Sequence, residues 1–124
     1  MAITLETAAR NAACDAIVDL IDGGTGPGYL KFETSGDVEC ATITFGATAF
    51  GAAAAGVATA NSTTDDTSAT GGTVAQFSIY ADSDVKILEG TAGTSGTDIT
   101  MSSASIIEGD TVSLDSLTIT MPAS

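Results

Sequence analysis

The sequence predicts a mainly β chain, an antiparallel β-sandwich of about seven short strands with one N-terminal α-helix. Three observations carry this. Apolar residues recur near a 3.6-residue period only at the start, from Leu5 to Ile21. After Gly28 the period falls to two. Turn signals such as Ser35-Gly36-Asp37, Asp82-Ser83-Asp84 and Glu108-Gly109-Asp110 separate the alternating runs. The length of 124 residues fits one domain over 1–124, with the helix at 5–22 and the sandwich at 29–121.

The helix is read from Leu5, Ala9, Ala12, Ala13, Ala16, Ile17, Leu20 and Ile21, with Thr4 as N-cap and Glu6 in the first turn. Gly23 and Gly24 stop it, glycine being suited to a left-handed C′ position. Tyr29–Thr34 puts Leu30 and Phe32 on one side, and Tyr29, Lys31 and Glu33 on the other. Cys40–Phe45 groups Ala41, Ile43 and Phe45. Val74–Tyr80 groups Phe77 and Ile79, and Val85–Glu89 follows. After a short piece at Asp98–Met101, the clearest alternation runs from Thr111 to Met121, with a bulge expected near Asp115-Ser116 where the period slips. Pro122 ends it.

An insertion at 46–73 breaks the pattern. Its first half is rich in Gly and Ala and reads as short extended pieces in close backbone contact. Its second half, Ser62–Thr73, reads as a polar loop. The expected core is Leu114, Leu117, Ile119, Phe77, Ile79, Phe32, Phe45, Ile17 and Leu20.

Lys and Arg total 3 against 16 Asp and Glu, a formal net charge of −13. Arg10, Lys31 and Lys86 cannot displace counterions along a phosphate backbone, so a nucleic-acid partner is excluded. An anionic bilayer is excluded on the same ground, and no run reaches the ~18 apolar residues of a membrane span. Cys14 and Cys40 match no metal-binding or redox spacing, and the N-terminus lacks a secretory pattern. Both thiols are therefore expected free, in a chain made in a reducing cytosol.

No enzyme is read. Histidine, the commonest general base, is absent, and so are a phosphate loop and a nucleophile elbow. No cofactor or metal motif is found. Asp65-Asp66 and Asp82-Ser83-Asp84 are read as turn residues rather than cation ligands.

Several stretches occur in an order that resembles small Ala/Gly/Thr-rich structural proteins of tailed bacteriophages. They are Thr7–Ala16, the Gly-Gly-Thr-Gly-Pro-Gly turn at Gly23–Gly28, Ala49–Asn61, Gly93–Met101 and Glu108–Thr120. The resemblance implies a head decoration or cement protein on the virion surface, partnered by the major capsid protein and by itself, commonly as a homotrimer. It carries no catalytic residues. The alternative is a tail or adhesin-like sandwich module that binds a host ligand. Two groups are candidate interface residues. Phe50 and Val57 lie in a segment whose small residues let backbones approach, although that segment also reads as an inner strand pair of the monomer. Asp15, Asp19 and Asp22 share a helix face, read either as solvated or as a docking edge for a basic partner.

Overall fold

In the computed structural model, which describes residues 3–123, helix α1 spans Thr7–Ile21. Residues 1, 2 and 124 of the single-domain span lie outside the described residues. The helix N-cap is Glu6 rather than Thr4, with extended backbone and no side-chain cap. At the other end, the Asp22 N–H reaches the Asp19 carbonyl and the Gly23 N–H reaches the Leu20 carbonyl. Gly23 and Gly24 do not take the left-handed conformation expected of them. They are needed instead for close approach, since a Cβ on Gly24 would lie 2.6 Å from the Cβ of Asp82.

The helix turns inward a face other than the expected one. Cys14, Val18 and Ile21 are buried, whereas Leu20 is 57% exposed and Ile17 only half-buried. The stripe Leu5, Ala9, Ala12, Ala16 and Leu20 points outward. Polar bonds to the insertion decide this choice, as described below.

The rest is mainly β, built around a curled sheet. Five strands form it: β1 (Tyr29–Glu33), β2 (Glu39–Thr44), β5 (Gln76–Tyr80), β6 (Lys86–Gly93) and β7 (Ile99–Thr100). Their order is β2-β1-β5-β6-β7, antiparallel except for β6–β7. Leu30 pairs with Ile43 and Ile79, and Phe32 with Ala41 and Phe77, so the expected apolar alternations meet in register on one face. Both hairpin turns are as expected, and each places an aspartate at positive φ, Asp37 at 65° and Asp84 at 64°. Aspartate tolerates this conformation better than most residues.

Two ribbons complete the fold: β3 (Val57–Thr59) with β9 (Thr118–Thr120), and β4 (Gly72–Thr73) with β8 (Ser105–Ile106). Among the described residues the strands number nine, where about seven were expected, and the sheets are partly open. The long last strand shrinks to β9, joined by a lone bridge between Val112 and Asp66. Between them, residues 113–116 have no strand partner among the described residues. Of the expected core, Phe32, Phe45, Phe77, Ile79 and Leu117 are buried, while Leu114 and Ile119 only pack against its margin.

The two thiols are buried and unpaired. The Cys14 Sγ donates to the Ile119 carbonyl at 3.3 Å, which ties α1 to β9. The Cys40 thiol is pushed up by burial and then by the nearby Glu39 and Glu33 carboxylates, which disfavours its reactive thiolate. Thiol titration should therefore find little reaction in the native protein and two free thiols after unfolding without reductant. Fewer than two would mean a disulfide.

Candidate docking surface

The insertion is held by side chains of α1. The Asp15 Oδ1 accepts the Ala53 N–H at 2.7 Å, the Asp22 Oδ1 accepts the Ala49 N–H at 3.0 Å, and the Asn11 Oδ1 accepts the Gly56 N–H at 2.8 Å. Residues 50–60 form a hairpin, with Phe50 bridged to Ala60 and Ala54 to Val57. Its tip, Ala55-Gly56, takes positive φ at both positions (52° and 79°), the form of a type I′ turn. Alanine is costly there, and the Asn11 bond grips the neighbouring residue. Thus α1 turns inward the face that carries Asn11, Asp15 and Asp22 beside Cys14, Val18 and Ile21, because the insertion offers it backbone donors that have no other partner.

This placement revises the candidate interface residues. Phe50 is 4% exposed and packs on Phe45, with ring centroids 5.6 Å apart, so it is not free to anchor a neighbouring copy. Val57 is half-buried in the β3–β9 ribbon. Asp15 and Asp22 are neither a solvated face nor a free docking edge, because each binds an amide of its own chain. Only Asp19 is fully outward. Replacing Asp15 by Ala leaves the Ala53 amide unpaired and should cost about 1–3 kcal/mol in denaturant unfolding. Asp19→Ala should stay within about 0.5 kcal/mol of wild type.

The polar Ser62–Thr73 stretch is also tied down. Asp66 exchanges backbone bonds with Val112, its Oδ2 accepts the Thr42 N–H at 2.8 Å, and its Oδ1 accepts the Ser68 N–H at 2.9 Å. Thr64 bridges Thr44, and the Gly71 N–H reaches the Cys40 carbonyl. One edge of the main sheet, β2, is covered in this way.

The opposite face of the sheet carries a cluster that the sequence reading did not single out. Tyr29 and Tyr80, cross-strand partners in β1 and β5, stack with centroids 5.2 Å apart. The Lys31 Nζ lies 5.4 and 5.2 Å from their centroids, and the Lys86 Nζ lies 5.9 Å from that of Tyr80. The two tyrosines are the only ones in the chain, and the two lysines are two of its three cations. Burial, and then a hydrogen bond donated to Asp84, push the Tyr29 hydroxyl up to about 12. Beside them Glu33, 4% exposed, accepts the Ser78 hydroxyl at 2.7 Å. The period-two alternation already placed Tyr29 and Lys31 on the side away from Leu30 and Phe32. The missing signal was the cross-strand register that brings Tyr80 beside them.

No family model, curated protein or solved structure matches the chain. Its surfaces must therefore be read from their own chemistry. Among the described residues, no group of three or more Cys, Asp or Glu side chains gathers to hold a metal ion, and no helix is long and apolar enough to cross a membrane. The Lys86–Glu89 ion pair, at 3.1 Å, is exposed on both sides, and pairs of that kind contribute little to stability.

Proposed function

We propose that this chain is a non-enzymatic structural protein of a tailed-phage virion, a decoration or cement protein that docks on the outside of the capsid and bridges major capsid subunits. The observation that carries the reading is the Tyr29–Tyr80–Lys31–Lys86 cluster on the sheet face. Aromatic side chains with a cation stacked on them are rigid and lose little water on docking, and aromatics are enriched where proteins bind. A chain of charge −13 with no histidine has few other tools for recognition. The word phage rests on the order of sequence stretches described above. In this reading the partly open sheets are those of the expected sandwich.

Self-association, as a homotrimer, belongs to the same proposal. Its contact is placed on the outward helix stripe with Leu5 and Leu20 rather than on Phe50, which the monomer already buries. Like-charged copies repel, so the contact between them is apolar.

Counting copies per virion tests the proposal. Hundreds of copies support decoration, whereas a handful would favour a tail or adhesin-like module and overturn the head assignment. The Tyr29→Ala/Tyr80→Ala protein should stay folded yet add poorly to undecorated heads. Light scattering tests the trimer: a monomer at micromolar concentration would remove that part of the proposal.

A further inference from the structure

The two edges of the main sheet are treated differently. Edge β2 is covered by residues 64–71, whereas edge β7 borders an open cleft of about 730 Å³. The opposite wall of the cleft is the segment from Asp110 to Thr118, and its apolar lining includes Ile99, Met101, Ile106 and Leu114. That segment is anchored at both ends, by the paired backbone bonds between Val112 and Asp66 and by the Ala60 N–H bonded to the Leu117 carbonyl. Between the anchors, residues 113–116 make no backbone hydrogen bond to another described residue. The run from Val112 to Leu114 nevertheless alternates like a strand, before the period slips at Asp115-Ser116. An open edge and an unpaired strand-like segment thus face one space. Exposed edges of this kind template the addition of a further strand.

Charge decides between occupants. Asp98, Asp110 and Asp115 line the cleft, and no Lys or Arg does. A second copy of this chain, at −13, would bring more negative charge to it. We infer that the cleft takes an extended segment of a partner protein, with basic side chains toward its acidic rim and apolar ones toward Ile99, Met101 and Leu114. The inference rests on the docking reading and adds to the Tyr29–Tyr80 face a second contact of stated partner chemistry.

A short alternating Val-Lys peptide, with its Val-Glu counterpart as control, is the probe. At low salt the Val-Lys peptide should bind and slow amide hydrogen exchange at Thr100 and at residues 113–116. Asp115 accepts no hydrogen bond from another described residue and is exposed, so Asp115→Lys should leave the fold intact and weaken binding roughly tenfold. Asp19→Lys, on the helix, should leave binding unchanged. No binding, equal binding of the Val-Glu peptide, or protection confined to the Tyr29–Tyr80 face would overturn the cleft assignment. Concentration-dependent protection of residues 113–116 without peptide would instead make a second copy the occupant and overturn it too. If Asp115→Lys protein still decorates heads as wild type does, the cleft fails while docking stands. If the wild-type protein does not decorate them, the docking reading itself fails.

Discussion

Phe32→Ala is expected to cost about 3–5 kcal/mol, the largest loss from any single truncation in this chain. Phe32 is 2% exposed at the centre of the sheet, opposite Ala41 on one side and Phe77 on the other. The small partner on the β2 side cannot grow into the space, and backbone pairing on both sides keeps the strands from collapsing into it. Small domains have only about 5–15 kcal/mol in total. The variant should therefore be largely unfolded at denaturant concentrations where wild type is intact, with an unchanged m-value. Leu20→Ala, on the outward face of α1, is the companion measurement and should move the midpoint by less than about 0.5 kcal/mol. Equal losses in the two variants would mean that the helix is turned the other way.

Gly28→Ala is expected to cost about 3 kcal/mol, the upper part of the usual overpacking range. A Cβ there would sit 2.6 Å from the Ile21 Cγ2, 2.6 Å from the Tyr80 carbonyl oxygen and 2.7 Å from that of Ile21. Two of the three are backbone oxygens from different elements, the end of α1 and the end of β5. Relief requires moving the helix away from the sheet. The Gly28 carbonyl also accepts the Phe45 N–H at 3.0 Å, so its own backbone cannot yield freely. Thermal unfolding should show the midpoint falling by roughly 10 °C or more. Trimming the side chain in an Ile21→Val background should restore little, because the carbonyls remain. Full rescue would show that the crowding is between side chains alone.

Much of the sheet was legible in the sequence because its strands are local and half-buried. Leu30 and Phe32, Ala41 and Ile43, and Phe77 and Ile79 alternate as one inner face must, and the turns between hairpin strands carry residues that tolerate positive φ. The helix was legible as a helix but not by its face. Amphipathic reasoning assumes that apolar side chains point inward, and here Asn11, Asp15 and Asp22 are drawn inward by amides of residues 49–56. Nothing local in either segment announces a pairing that spans 27 to 45 positions. The last strand misled for a related reason. Its alternation is real, but a strand also needs a partner, and residues 113–116 find none within the described chain. The tyrosine–lysine cluster was half legible, since its β1 members lay on the correct side while the register that adds Tyr80 was hidden.

The central seam of the sheet has a consequence for how the chain reaches this structure. Hairpins β1–β2 and β5–β6 each close through a short turn, whereas β1 meets β5 only after an excursion, with Glu33 and Gln76 separated by 43 positions. Loop closure grows costlier with length, and non-local pairing is slow. The two hairpins therefore form early and the seam joins late. Until it does, Leu30 and Phe32 on one hairpin and Phe77 and Ile79 on the other are uncovered beside unpaired strand edges. Strands from different chains can meet there as readily as strands from one, so misassembly during refolding should rise with protein concentration.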